Sequence, residues 1–429
     1  MKIVCKLSED DTYTVPDCKY ININNSKEFW YKFWDTKNVF PIFYQDEALD
    51  MLYLSLFVFG ADRLILRDNG KDAWSRDIEL HMPVLAYEKW SELKSSVQDM
   101  LNFLTGDHWI IEFRPRGYVD KEIKARKRWK RVKNHNNDIS KVCMFSGGLD
   151  SCIGALDLLS LQEDKEKILF VSHYGGGKGT KEYQDALKEQ LVHSYGIKGE
   201  QFIQNHASVM DGEEDTTRSR SFMFFAHAIA YASAMNKSIE LIIPENGLIS
   251  LNIPLAHTRL GSSSTRTTHP FYMKMLQKLI WDLGLDIRII NPFQFKTKGE
   301  MILECKNRDF LQTILKHTMS CSHPDNGRNR GMKYTMHCGY CLPCTIRKAA
   351  ILRGNLEDTS KYYDNRYNLL PVARQAMRTY RYALANFDES TAFLKIQSSG
   401  QISEKVEEYA DLYVRGMKEL KQYLENINV

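Results

Sequence analysis

The sequence predicts an α/β protein: a doubly wound parallel sheet with a structural zinc site, preceded by a smaller α+β domain. Three observations carry that reading. A short apolar run, Val142–Phe145, leads at once into Ser146-Gly147-Gly148-Leu149-Asp150-Ser151, and then into apolar residues at helical spacing, Ile153, Leu156 and Leu159. From Lys141 onward, strand-like and helix-like stretches alternate, the pattern that builds parallel sheets from βαβ units. Cys321, Cys338, Cys341 and Cys344 offer four thiolates, enough for one tetrahedral Zn²⁺ with no coordination position left open. An iron–sulfur cluster is the competing reading of the same spacing.

At 429 residues the chain should hold about two domains. Its 43% hydrophobic and 26% charged residues are those of an ordinary globular protein. A net charge of +4 is too small to imply a nucleic-acid coat. With no apolar run long enough to span a bilayer and no secretory signal, a cytoplasmic location away from membranes is expected. Nine cysteines, four of them clustered, suit a reducing compartment with one metal site.

Residues 1–115 read as an α+β N-terminal domain, a scaffold or partner-docking unit. Strands are expected at Lys2–Leu7, Asp62–Arg67 and Asp77–Val84, and helices at Glu47–Phe59 and Glu88–Leu104. Residues 116–140 form a basic linker. Its Lys121–Lys133 run is read as a solvated helix or linker ahead of a nucleic-acid contact, because the rest of the chain offsets its charge. Residues 141–354 carry the sheet and the cysteines, with further strands at Ile168–Ser172, Gln201–Gln204, Leu241–Pro244 and Asp286–Ile290. Residues 355–429 are a helical C-terminal extension in which Tyr409, Leu412, Tyr413, Met417 and Leu420 make one apolar stripe.

The loop after Val142–Phe145 reads as an anion site. A glycine-rich turn at a helix start aims backbone N–H groups and the positive end of the helix dipole at one spot, which favours phosphate. Ser146 and Ser151 add hydroxyl donors, and Gly147 and Gly148 allow close approach. Asp150 would repel phosphate unless it caps the helix, orders the loop or meets Mg²⁺ carried by a nucleotide. The sheet pattern brings other loops to the same end: His173 in a glycine-rich stretch, Arg218 and Arg220 at a helix start where cations oppose the dipole, and Glu245 and Asn246. Arg259, Arg266 and His269 follow in a long polar segment, and Lys296 and Lys298 after the last strand.

The Ser146–Ser151 sequence after a strand resembles the PP-loop of ATP pyrophosphatases, a fold of the adenine nucleotide alpha hydrolase-like type. Together with Arg220 before an apolar helix, the Lys298–Glu300 stretch and the cysteine motif ending at Cys344, the region from Lys141 to Gly354 resembles the 7-cyano-7-deazaguanine synthases, the QueC family. The resemblance implies ATP, Mg²⁺ and Zn²⁺ as cofactors and an AMP- and pyrophosphate-forming carbon–nitrogen ligase acting on 7-carboxy-7-deazaguanine. It implies ATP contacts at Ser146, Gly147, Gly148, Leu149, Asp150, Ser151 and His173, and catalytic roles for Ser146, Asp150, Ser151, Arg220 and Lys298. Substrate contacts fall to Arg220, Glu245, Asn246, Arg266 and His269. The long Cys321–Cys338 gap, Ser221 after the arginine, and the added N-terminal and C-terminal parts depart from that family. They look like the QueC-like subunits of bacterial anti-phage operons, of the QatC type, which implies an operon-encoded protein partner whose amine accepts the activated deazaguanine. The alternatives are a housekeeping synthase using ammonia, a PP-loop tRNA-modifying enzyme, and a zinc-ribbon binding module without catalysis.

Overall fold

The computed structural model describes residues 1–70, 72–132, 139–161, 165–175, 178–215, 218–255 and 266–427. The architecture is mixed α/β with parallel sheets. The strands are, in chain order, β1 (Lys2–Lys6), β2 (Cys18–Asn22), β3 (Phe29–Lys32), β4 (Asp77–Val84), β5 (His108–Pro115), β6 (Lys141–Met144), β7 (Ile168–Tyr174), β8 (Phe202–Val209), β9 (Ile239–Ile242) and β10 (Ile287–Ile290).

The larger sheet has the order β10-β9-β6-β7-β8-β3. Strands β6 to β10 are mutually parallel. The chain runs outward from β6 through β7 to β8, then crosses back to lay β9 and β10 on the other side of β6. The order reverses between β6 and β9, and in such sheets the crevice outside the carboxyl ends at that point takes ligands. Side chains alternate faces along each strand. Val142, Met144, Leu169 and Val171 enter one core, with helices Asp46–Leu64, Arg220–Ser233 and Pro270–Asp282. Cys143, Phe145, Ile168 and Phe170 enter the other, with helices Leu149–Ser160 and Lys178–Tyr195. Burial on both faces explains why these strands read as unbroken apolar runs.

The smaller sheet, β2-β1-β4-β5, is parallel throughout. Residues 1–115 do more than stand beside the larger sheet. β3 pairs antiparallel with β8 and forms its outer strand. Helix Asp46–Leu64 packs against both Arg220–Ser233 and the small sheet, and every residue from 48 to 62 is buried. The strand expected at Asp62–Arg67 is not formed. Asp62 and Arg63 complete the last turns of this helix, and Arg67 begins a short 3₁₀ turn. A helix buried all round has no polar stripe, so its end leaves no periodic mark.

Asp62 is held by what surrounds it. Its Oδ1 accepts from Arg76 Nη2 at 2.6 Å and Arg67 Nη2 at 3.4 Å. Its Oδ2 accepts from the N–H groups of Arg218 (2.8 Å) and Ser219 (2.9 Å) and from Ser219 Oγ (2.7 Å). One carboxylate thus fixes the start of helix Arg220–Ser233 from a segment more than a hundred residues away. The basic run forms helix Asp120–Arg131, and its buried Glu122 is forked by Arg116, which also pairs with Asp50.

The C-terminal extension supplies helices Pro371–Ala385, Ala392–Gln397 and Val406–Glu425. Its stripe residues Tyr409, Leu412, Tyr413, Met417 and Leu420 are buried in a third core shared with Cys338, Cys341, Cys344 and Ile346. Glu419 accepts from Thr297 Oγ1 and the Gly299 N–H, at the start of helix Lys298–Leu303. Among the described residues, no helix is long and apolar enough to cross a membrane.

Replacing Asp62 leaves Arg76 with half of its buried carboxylate partners. Asp62→Ala should cost about 3–5 kcal/mol, the usual loss when one partner of a buried ion pair is removed. Urea denaturation followed by circular dichroism measures it, and a loss below about 1 kcal/mol would show the contact to be dispensable.

Candidate nucleotide site and metal centre

At the end of β6 the chain turns through Phe145–Gly148 into helix Leu149–Ser160. Gly147 has φ +84°, in the left-handed region that favours glycine, and a Cβ there would stand 2.9 Å from Gln184 Cγ. Ser146 Oγ accepts the Gly148 N–H at 3.3 Å and lies 3.1 Å from Ser151 Oγ. The Ser151 hydroxyl also reaches the Gly148 carbonyl at 3.1 Å. Two other segments brace this loop. Gln184 Nε2 donates to the carbonyls of Ser146 (3.0 Å) and His173 (3.1 Å). The Met319 N–H donates to Gly147 O at 2.8 Å, and Ser320 Oγ accepts the Leu149 N–H at 3.3 Å. Gln184, Met319 and Ser320 carry no signal in the sequence, because folding alone brings them beside a loop so distant in the chain.

Asp150 does not cap the helix; that position belongs to Gly148. It ties three loops together instead. One oxygen accepts from the Asn246 N–H at 3.2 Å and from Asn246 Nδ2 at 2.7 Å, and the other lies 2.9 Å from Lys298 Nζ. Burial by itself pushes the carboxyl up, but Lys298, with Glu245 and Asn246 as donors, outweighs it and holds Asp150 below its ordinary range. Glu245 beside it is driven the other way, up from its ordinary range, by burial and then by the Asp150 charge. Of the two lysines considered, Lys298 is committed to this ion pair and Lys296 pairs with Glu304 on the surface.

These loops open on a cavity of about 680 Å³ whose polar wall includes Ser146, Ser151, His173, Arg218, Arg220 and Glu245. The lining also has apolar members, Leu248, Ile253, Ile346, Tyr413 and Met417, the last two from the C-terminal extension. Arg220 opens onto the cavity and makes no ion pair among the described residues. A Cβ on Gly175 would lie 3.3 Å from its Nη2. His173 is buried with Nε2 unpartnered. Burial, then the neighbouring Arg220, His227 and His206, push its pKa well below the ordinary value, so the ring is neutral.

Three expected substrate residues are not on the cavity wall: Asn246, buried against Asp150, Arg266 and His269. Arg266 donates to Phe103 O at 2.6 Å and lies 4.4 Å over the Phe103 ring. His269 caps helix Pro270–Asp282 by accepting the Phe271 N–H at 3.2 Å, and its Nε2 lies 3.3 Å from Ser399 Oγ. Burial and Arg266 push its pKa down to about 4. Arg259 lies outside the described residues.

Cys321, Cys338, Cys341 and Cys344 place their Sγ atoms all within 4.8 Å of one another. Cys321–Cys341 and Cys338–Cys344 are each 3.9 Å apart. A tetrahedral Zn²⁺ with Zn–S bonds near 2.3 Å needs sulfurs about 3.8 Å apart, so the cluster is compatible with zinc. Sγ of Cys321 accepts the N–H groups of Cys338 (3.2 Å) and His323 (3.3 Å), and Sγ of Cys338 accepts that of Cys341 (3.4 Å), contacts that moderate thiolate charge. His337 turns its Nε2 to the Ser320 N–H at 3.3 Å. Gly339 has φ +90°, and a Cβ there would meet Asp364 O at 2.3 Å, so only glycine closes this knuckle.

The cysteine cluster also supports the serine–glycine loop. Helix Leu342–Arg353 follows the knuckle, and its Arg347 is fully buried. Arg347 donates to Thr318 Oγ1 (2.6 Å), Leu315 O (3.0 Å) and Ser360 Oγ (2.8 Å). That fixes the segment from Leu315 to Thr318, whose next residues, Met319 and Ser320, hold Gly147 and Leu149.

No family model matches the chain. Over 81 residues it is 35% identical to a 7-cyano-7-deazaguanine synthase of Methanocaldococcus jannaschii, a match covering 18% of this chain and 32% of that synthase. The chain thus spans about a third of the relative that it matches.

Four closed thiolates should contribute folding free energy outright. Purified protein should hold about one zinc per four-cysteine cluster by elemental analysis, and Cys344→Ser should lower the melting temperature along with zinc content. Iron with acid-labile sulfide in place of zinc would overturn the assignment.

Proposed function

We propose that this chain is a QueC-like ATP-using enzyme that activates a 7-deazaguanine carboxylate and passes it to an amine. One observation carries the reading: the serine–glycine loop, Arg220 and neutral His173 share one cavity at the strand-order reversal, and the four-cysteine cluster adjoins it through Cys321. The partial likeness to a 7-cyano-7-deazaguanine synthase supports the same reading.

In the proposed reaction, a carboxylate oxygen attacks the α-phosphorus of ATP and pyrophosphate leaves. The amine then attacks the acyl carbon, the C–N bond forms, AMP departs and the amine loses a proton. The Ser146 and Ser151 hydroxyls and the helix start would hold nucleotide phosphate, and Arg220 would balance its charge. Asp150 orders the loop through Asn246 and Lys298 and leaves phosphate contact to its neighbours. His173, neutral and with Nε2 unpartnered, would offer a hydrogen bond to the nucleotide. Zn²⁺ in the closed thiolate site would stiffen the loop's support. Mg²⁺ bound with the nucleotide would supply further charge neutralisation.

The finer assignment, to the QueC-like subunits of anti-phage operons with a protein amine as acceptor, is supported by the extra parts of the chain. The C-terminal extension builds part of the cavity wall, and residues 1–115 position the helix that carries Arg220. Ammonia needs no such construction.

ATP–pyrophosphate exchange dependent on 7-carboxy-7-deazaguanine tests the activation step. Ser146→Ala and Arg220→Ala should each lower exchange by about a hundredfold, typical of losing one donor to a developing charge, with melting temperatures unchanged. Exchange at the wild-type rate in both variants would remove the loop from the reaction. Intact-mass spectrometry of an operon-encoded partner, beside a nitrile assay with ammonium alone, decides the acceptor: a mass increase on the partner is expected, and efficient nitrile formation with an unmodified partner would return the chain to the housekeeping reaction.

A further inference from the structure

Arg218 is 5% exposed, yet the guanidinium is only partly satisfied. Its Nη1 donates to Thr105 O at 3.2 Å, and its plane lies 4.7 Å from the Trp74 ring. Nε and Nη2 have no hydrogen-bond partner. Those two nitrogens share one edge of the guanidinium, the fork whose parallel N–H groups match the two oxygens of a carboxylate or phosphate. A buried fork left open is costly in a folded chain, and Arg218 lies on the cavity wall.

The surrounding charge points the same way. Asp62 and Asp107 are the nearby carboxylates, and their side-chain ion pairs are with Arg67 and Arg76. Arg218 and Arg266 pair with no carboxylate among the described residues. Arg266 also keeps a buried Nε without a partner. Burial, then Arg67 and Arg266, lower the Arg218 pKa to about 10. Two cations brought together, one of them on the cavity wall, form a place that an oxyanion would stabilise. Thr105 and Trp74, which seat Arg218, are not among the residues that brace the Ser146–Ser151 loop.

We propose that the Nε–Nη2 edge of Arg218, seated on Trp74 and Thr105, is a second oxyanion subsite of the cavity, and that it recognises a carboxylate or phosphate group of the substrate that is not ATP. The identity of that substrate rests on the adenylating reading above; the anion site itself does not. Residues 1–115 then set substrate specificity, because they supply both the ring and the carbonyl that aim the fork.

Isothermal titration of the full chain tests this, with the serine–glycine loop first filled by α,β-methylene-ATP. Inorganic phosphate and benzoate are titrated separately, so that a phosphate-bearing substrate is told from a carboxylate. Wild type should bind one of them. Arg218→Gln should weaken that binding by about tenfold or more, and Arg218→Lys should restore it only in part, since a point charge does not replace a fork. Ser146→Ala keeps the two readings apart: it should lose the nucleotide analogue and keep the anion. A wild-type crystal grown with the bound anion should show it on the Nε–Nη2 edge, a result that needs no variant to fold. Binding of neither anion by wild type, equal binding by Arg218→Gln, or an anion found only on the Ser146–Ser151 loop would each overturn the proposal.

Discussion

A charged carboxylate kept out of water holds the working end of this molecule together. Burying an ion costs several kcal/mol unless an opposite charge and hydrogen bonds compensate it. Asp150 meets that condition with Lys298 and two donors from Asn246. Those partners come from the loops after β9 and β10, while Asp150 itself follows β6, so one ion pair draws together the loops around the point where strand order reverses. The arrangement extends outward. Lys298 opens a helix whose start is held by Glu419 and whose Glu300 pairs with Arg415, both from the C-terminal extension. On the other flank, Arg347 and the cysteine knuckle fix the segment that supports Gly147.

Much of this was legible in the sequence because two-faced burial leaves a strong mark. The apolar runs at Val142–Phe145 and Ile168–Ser172 became β6 and β7, and the turn between β6 and its helix falls where the glycines stand. The four cysteines announced their own proximity, since C-x₂-C-x₂-C leaves few other ways to place thiols. The buried C-terminal stripe followed directly from its spacing.

What escaped the sequence has identifiable causes. The apolar run Leu64–Leu66 after Asp62 mimics a strand, but Arg67, Arg76 and Ser219 satisfy Asp62 at the end of a helix, and those partners are invisible to local pattern. β3 is four residues long and pairs with a strand that follows some 170 positions later, so nothing nearby marks it. His269 looked like a ligand residue because it is polar in a polar stretch, yet its ring serves a helix start. Arg218 left one legible sign, a cation at the wrong end of a helix dipole, and only the arrangement of its open edge gives that sign a meaning.

β3 has a consequence for any attempt to reduce the chain to the part that carries the cavity loops. It covers the outer edge of β8, and an uncovered edge strand invites pairing with other molecules. Cutting away residues 1–115 would bare that edge together with the apolar face of helix Arg220–Ser233 against which Asp46–Leu64 packs. A segment that looks in the sequence like an appendage is the selvedge of the sheet, and a shortened protein would need a new hem to keep that edge from pairing with other molecules.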